Sequence, residues 1–121
     1  MRIGLIGYGA WGQHHADAIA ETPGLELAGI CEESEESRAA AREKFGAPVT
    51  ADYRKLLSTP GLACVDIVLP TDLHHEVAGA ALCGGLNVLL EKPMALTNEQ
   101  CADLITLARK SGRVLHVAHE F

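Results

Sequence analysis

The regular alternation of short apolar runs with longer polar stretches restricts the fold of this chain more than any other feature. The runs are apolar on both faces, as in buried parallel strands, and the stretches between them have helical spacing. The predicted strands are residues 3–6, 25–32, 48–50, 64–69, 86–90 and 114–118. The predicted helices are residues 10–21, 34–45, 52–57 and 98–111, and one from 71 or 72 to 83. This alternation predicts a three-layer α/β/α fold around a doubly wound parallel sheet of about six strands. With a glycine-rich turn after the first strand, the expected strand order is 3-2-1-4-5-6.

Residues with capping chemistry mark the ends of several predicted helices. Ser34 is placed to cap the second helix, and Gly46 is placed to end it. Thr71 or Asp72 can cap the fourth helix. The Thr-Asn-Glu-Gln of residues 97–100 predicts a capping box at the start of the fifth.

Composition indicates one folded domain and excludes several functions. The chain has 121 residues, of which 48% are hydrophobic. This length is enough for one hydrophobic core and too short for two. The net charge is −6 and no basic patch is large, so nucleic acid is not an expected partner. No apolar run approaches the ~20 residues of a membrane span, and the first residues lack the apolar core of a signal peptide. We therefore expect a cytoplasmic protein without a membrane partner.

Cysteine and histidine spacing does not predict a metal site. The histidine pairs at 14–15 and 74–75 point about 100° apart on a helix and make no chelating face. The cysteines lie far apart in or beside apolar segments, so we expect four buried, reduced thiols. They are Cys31, Cys64, Cys83 and Cys101.

A glycine-rich turn, Gly-Tyr-Gly-Ala-Trp-Gly at residues 7–12, connects the first predicted strand to the first predicted helix. The G-x-G-x-x-G spacing alone is weak evidence, but this position is typical of dinucleotide-binding folds. We expect Gly7 to permit a tight turn, Gly9 to let the backbone approach a pyrophosphate, and Gly12 to allow close helix packing. The helix that opens at Ala10 would turn its free N–H groups toward the phosphates.

Side chains around this turn indicate which cofactor binds. We expect Tyr8 and Trp11 to pack around the cofactor, and Trp11 fits packing between helix and sheet equally well. Glu32 ends the second predicted strand, where a carboxylate can accept hydrogen bonds from both adenosine ribose hydroxyls. It would repel a 2′-phosphate, and the first cation that follows it is Arg38. These features favour NAD over NADP.

Two further segments follow predicted strands, at the carboxyl ends where open α/β sheets bind ligands. Residues 69–74 follow the fourth strand and residues 90–94 follow the fifth. Lys92 is a candidate catalytic cation that could hydrogen-bond a reacting hydroxyl and shuttle its proton, and Glu91 could orient it. A solvated surface lysine is the alternative.

Together these residues resemble the N-terminal half of the glucose–fructose oxidoreductase, inositol dehydrogenase and MocA family. The resemblance covers the whole chain, and the glycine turn combined with Glu-Lys-Pro at 91–93 is far more specific than either alone. The other matching residues are His15, Ala16, Glu32, Pro70, Thr71, His74, Gly85, Asn87, Val88 and the ending at 116–121.

The resemblance implies hydride transfer between NAD or NADP and a hydroxyl carbon, mostly of sugars, polyols and related small molecules. It makes Lys92 the catalytic lysine and Glu91 its neighbour near the nicotinamide, and it implies that the Lys92–Pro93 bond is cis. The segment that it places along the cofactor cleft contains Leu69, Pro70, Thr71 and His74.

Two departures from the family pattern qualify this reading. Asn87 stands where many relatives have a histidine, and the chain ends at Phe121. In the family a second α+β domain follows and carries much of the substrate site. We therefore expect residues 1–121 to be a dinucleotide-binding domain that does not turn over substrate by itself.

Two other hypotheses remain open on sequence alone. The chain could be a stand-alone nucleotide-binding or interaction module that self-associates into a homo-oligomer through the surface a second domain would cover. It could also be a methyltransferase, since that class combines a glycine turn with an acidic residue after the second strand. Gly12 and the Glu-Lys-Pro sequence argue against a methyltransferase.

Overall fold

The structure is a computed structural model that describes residues 1–118, within which six parallel strands form one sheet. The strands are β1 (Arg2–Ile6), β2 (Glu26–Cys31), β3 (Val49–Thr50), β4 (Cys64–Ile67), β5 (Asn87–Glu91) and β6 (Leu115–Ala118). The helices are α1 (Ala10–Glu21), α2 (Glu35–Phe45), α3 (Tyr53–Leu57), α4 (His74–Cys83) and α5 (Asn98–Ser111), and a 3-10 turn, Thr71–Leu73, precedes α4. The strand order β3-β2-β1-β4-β5-β6 confirms the predicted doubly wound fold. The end of the matched C-terminal segment, residues 119–121, lies outside the described residues.

Helices cover both faces of the sheet, because neighbouring residues of a buried strand point to opposite sides. Leu5 packs in the core beneath α1 and α2, whereas Ile6 packs in the core beneath α3, α4 and α5. Leu104 of α5 is fully buried in that second core, where each such side chain contributes about 2 kcal/mol to the free energy of folding. No helix in residues 1–118 has the length and apolar character needed to cross a membrane.

Most helix ends follow the predicted capping chemistry. The Ser34 hydroxyl accepts from the N–H of Ser37, and Gly46 ends α2 with φ of 66°. The Thr97 hydroxyl accepts from the N–H of Gln100, as in a capping box. The amide oxygen of Gln100, however, accepts from the N–H of Leu96 and not from that of Thr97.

The start of α4 differs from the prediction that Thr71 or Asp72 caps it. Neither side chain makes a capping hydrogen bond. The N–H of Leu73 donates to the carbonyl of Pro70, and the N–H of His74 donates to that of Thr71. These 3-10 bonds satisfy donors at the helix start with backbone acceptors, so a side-chain cap is not needed there.

Only one of the four free cysteines is buried. Cys31 lies in the sheet, where burial raises the pKa of its thiol to about 11. Cys64 and Cys101 are half-buried and Cys83, the last residue of α4, is exposed, so the prediction of four buried thiols was wrong for these three. Apolar neighbours in the sequence do not reveal which side of an element a thiol occupies.

Candidate functional site

A cleft opens at the carboxyl ends of β1, β4 and β5, where the strand order reverses, as expected for a doubly wound sheet. Its larger part is a cavity of about 580 Å³. The cavity brings together the first turn, the segment after β4 and the end of β5. Its lining residues are Gly9, Ala10, Trp11, Gly12, Val68, Leu69, Pro70, Glu91 and Lys92.

A second cavity of about 400 Å³ continues the cleft on the other side of the turn. It shares Gly9, Val68, Leu69 and Pro70 with the first cavity and reaches Glu32. The glycine turn therefore lies in the middle of one continuous cleft.

The three glycines of the turn have different structural roles. Gly7 has φ of +104°, and a Cβ there would lie 2.0 Å from the carbonyl oxygen of Val68. A Cβ on Gly12 would lie 2.1 Å from the carbonyl oxygen of Gly7, so the first turn of α1 packs directly on the glycine turn. A Cβ on Gly9 would meet no protein atom within 4 Å, because it would point into the cleft.

The N-terminus of α1 provides an anion-binding end to the cleft. Gly9 is its N-cap residue and has no side chain to cap the first N–H groups. Ala10, Trp11 and Gly12 of the first turn all line the larger cavity. These donors, with the positive end of the helix dipole, suit a phosphate group.

The two aromatic residues of the turn lie in different places. Tyr8 is 3% exposed and lies within the core beneath α1 and α2. Its ring is perpendicular to that of Phe45, with the two ring centroids 6.2 Å apart. This position corrects the prediction that Tyr8 packs around a cofactor, because a residue beside a strand end can point to either side. Trp11 is 51% exposed and lines the larger cavity, so it does not pack between helix and sheet.

Glu32 follows β2 and ties the turn to the start of α2. One carboxylate oxygen accepts from the N–H of Tyr8 at 2.9 Å, and the other accepts from the N–H of Ser34 at 2.8 Å. Arg38 lies beside Glu32, a position that the sequence does not reveal, and its guanidinium donates to the carbonyls of Glu32 and Glu33. Because α2 begins at Glu35, its first turn places the side chain of Arg38 next to the main chain of Glu32.

His74 and Thr71 line neither part of the cleft. His74 is 1% exposed, with one ring nitrogen 2.9 Å from the carbonyl oxygen of Leu69 and the other 2.9 Å from that of Pro93. A neutral ring donates to one of these acceptors and a protonated ring donates to both. His74 thus joins the two segments that form one wall of the cleft, and the Lys92–Pro93 bond in the second segment is cis, as expected.

Lys92 is exposed and lines the larger cavity, directly after the last residue of β5. Within residues 1–118 its ammonium has no carboxylate within ion-pair distance. The carboxylate of Glu91 pairs instead with Nε2 of His15 at 2.7 Å, which corrects the prediction that Glu91 orients Lys92 directly. The reason is that the Glu91 side chain faces His15 of α1, a neighbour that only the folded chain brings to the end of β5.

Asp66, which is not among the predicted site residues, pairs with the other ring nitrogen of the same histidine. Nδ1 of His15 lies 2.6 Å from Oδ2 of Asp66, and the aspartate is 3% exposed. Asp66 raises the pKa of His15 above its ordinary value of 6.5, mainly through this hydrogen bond, whereas burial lowers it. An acidic residue inside an apolar strand was the available signal, since a buried carboxylate needs a partner.

Comparison with known proteins identifies relatives over almost the whole chain. The sequence model of the family GFO_IDH_MocA, described as "Oxidoreductase family, NAD-binding Rossmann fold", matches residues 1–119. The chain is 39% identical over 120 residues to the uncharacterized oxidoreductase YdgJ of Escherichia coli (strain K12), covering 98% of this chain and 34% of that protein. It is 33% identical over 123 residues to the D-glucoside 3-dehydrogenase of the same strain, covering 100% of this chain and 34% of that protein.

Solved structures agree with this result. Biliverdin reductase from Synechocystis sp. PCC 6803, in complex with biliverdin and NADP+, superimposes with a TM-score of 0.93 at 33% identity. The match covers 98% of this chain and 37% of that one. The chain therefore spans about a third of the length of the proteins it matches. Because the family model matches residues 1–119 and the fold agrees with a solved relative, the chain belongs to the glucose–fructose oxidoreductase, inositol dehydrogenase and MocA family and corresponds to the NAD-binding Rossmann domain of that family.

Proposed function

We propose that the domain binds NAD(H) in the cleft and that the complete protein transfers a hydride between the nicotinamide and a hydroxyl carbon of a sugar, polyol or similar molecule. The observation that carries this proposal is a single cavity lined by both the open N-terminus of α1 and Lys92. The first suits a pyrophosphate and the second suits proton transfer at a hydroxyl. The absence of a side chain at Gly9 leaves open space for the cofactor. Any larger residue at this position would fill that space.

The predicted residues at the two ends of the cleft have distinct roles in this proposal. The N–H groups of Ala10, Trp11 and Gly12 hold the pyrophosphate, and Glu32 accepts from the ribose hydroxyls. Lys92 donates a hydrogen bond to the reacting hydroxyl and exchanges a proton with it. The nicotinamide, when bound, supplies or accepts the hydride.

We propose NAD as the preferred cofactor. Each carboxylate oxygen of Glu32 holds one backbone N–H, which leaves lone pairs for ribose hydroxyls. Glu32 and Glu33 both line the smaller cavity, where they would repel a 2′-phosphate. The guanidinium of Arg38 is turned toward two carbonyl oxygens. The Synechocystis relative, solved with NADP+, shows why this selectivity needs its own test.

Substrate choice and location are also proposals. D-glucoside 3-dehydrogenase and biliverdin reductase differ in their named substrates. The chain nevertheless matches both, over 34% and 37% of their respective lengths. We therefore place substrate selection in a second domain outside residues 1–121. The four free thiols support a cytoplasmic location.

Titration calorimetry with NADH, NADPH and S-adenosylmethionine tests the proposal. NADH is expected to bind at least about tenfold more tightly than NADPH, a difference of about 1.4 kcal/mol, and S-adenosylmethionine is expected not to bind. Glu32→Gln should reduce the difference in affinity between NADH and NADPH, because it removes the negative charge and keeps the side-chain shape. Glu36→Gln, exposed on α2, is the matched control and should leave that difference unchanged.

The outcomes separate the two parts of the proposal. If NADH at millimolar concentration gives no binding heat, the cofactor-binding function is wrong. If NADPH binds as tightly as NADH, only the selectivity argument for Glu32 fails.

A further inference from the structure

Three charged side chains from three elements meet beside the cleft. His15 of α1 lies between Asp66 of β4 and Glu91 of β5, at 2.6 Å and 2.7 Å. The side chains are 18%, 4% and 14% exposed, so the cluster is largely shielded from water. Glu91 belongs to the larger cavity and Lys92 follows it directly.

The geometry of this cluster favours a proton on His15, because both ring nitrogens lie within ion-pair distance of a carboxylate oxygen. Each ring nitrogen faces a carboxylate oxygen, and only the imidazolium donates to both. Oδ1 of Asp66 is buried and has no hydrogen-bond partner among residues 1–118, so the pairing of this carboxylate depends on His15. A buried carboxylate that loses its only cation is strongly destabilised.

Other titratable groups near the cluster do not replace that cation. Cys64 lies two residues before Asp66 on the same side of β4, and burial, then the charge of Asp66, raises the pKa of its thiol. His116 pairs in register with Leu89 of β5, lies two strands away from Asp66, and is exposed. His14, beside His15 on α1, turns its ring to Trp11 at 5.5 Å.

The cluster also lacks the form of a metal site. The two carboxylates lie at opposite nitrogens of one ring and do not converge on a shared point. In the described part of the chain, no three His, Cys, Asp or Glu side chains are placed to hold a metal ion.

We propose that His15 is a positioning residue for Lys92, acting through Glu91. His15 holds the Glu91 carboxylate against α1 and so fixes the end of β5 from which Lys92 enters the cavity. When the ring loses its proton it can no longer donate to both carboxylates, and the more exposed Glu91 is the one released. The free carboxylate is then able to pair with Lys92 and draw it out of the cofactor site. This inference rests on the proposed function.

The pH profile of NADH affinity tests the inference. In the unchanged domain, affinity should weaken about fivefold as pH rises through the folded pKa of His15. Glu91→Gln leaves the Asp66–His15 pair intact and removes the carboxylate that could draw Lys92 away, so its NADH affinity should not weaken as pH rises. His75→Gln is the matched control, because it removes a surface histidine of α4 that pairs with Asp103 of α5 and is not part of the cluster. This variant should keep the original pH profile. A Glu91→Gln profile identical to the original would overturn the positioning role.

A second measurement needs no cofactor. Folding raises the pKa of His15 above 6.5, so the paired ring stabilises the fold fully below pH 6.5 and less as pH rises through the folded value. Nitrogen NMR of the His15 ring should show both nitrogens protonated at pH 6.5, and a neutral ring there would overturn the inference. A protonated ring in a domain that binds no NADH would instead count against the proposed function.

Discussion

Gly7→Ala is expected to destabilise the domain by more than about 3 kcal/mol, a large part of the stability of a domain this size. Gly7 has φ of +104°, and a Cβ there would lie 2.0 Å from the carbonyl oxygen of Val68. The contacted atom belongs to the main chain directly after β4, so no side-chain movement can relieve the clash. Urea denaturation followed by circular dichroism measures the loss.

Gly24→Ala is the matched control for this substitution. Gly24 has φ of +87°, but its Cβ would meet no atom within 4 Å. The control therefore carries backbone strain without the clash, and we expect it to cost about 1 kcal/mol. If the two variants were equally stable, the close approach of the glycine turn to β4 would be wrong.

Gly9→Val should leave the fold intact and weaken NADH binding by more than about tenfold, or 1.4 kcal/mol. Gly9 has φ of −74° and ψ of −168°, an extended conformation open to any residue. The added side chain would occupy the cleft beside the N-terminus of α1, where we place the pyrophosphate. Calorimetry measures the affinity, and circular dichroism confirms that the fold is retained.

Gly79→Ala serves as the control for Gly9→Val. Its Cβ would lie at an ordinary 3.5 Å from Leu107, between α4 and α5 and away from both cavities. This variant should fold and bind NADH normally. Unchanged NADH affinity in Gly9→Val would place the pyrophosphate elsewhere.

The strand order and the glycine turn could be predicted from the sequence because they depend on local patterns. Apolar runs at regular spacing determine a parallel sheet, and the position of Gly7 after the first run determines a turn at the carboxyl edge. The placement of Lys92 in the same cleft follows from that topology, since parallel strands end at one edge. These features need no knowledge of which side chains touch.

The pairings inside the site could not be predicted in the same way. Asp66 and Glu91 lie far along the chain from His15, and only the assembled sheet brings them to its two ring nitrogens. Tyr8 illustrates a second limit, because its direction depends on the space beneath α2 where Phe45 lies. Sequence patterns indicate which face of an element is apolar, and not which polar partners meet there.

The central claim is that NADH lies in the cleft between the glycine turn and Lys92, and the fluorescence of Trp11 tests it most directly. Trp11 is the single tryptophan of the chain, is 51% exposed and lines this cavity. NADH absorbs light where tryptophan emits, so a bound cofactor should quench Trp11 and gain emission through energy transfer. We predict saturable quenching with sensitised NADH emission, reversed by excess NAD+. Binding detected by calorimetry without any change in Trp11 emission would contradict the claim.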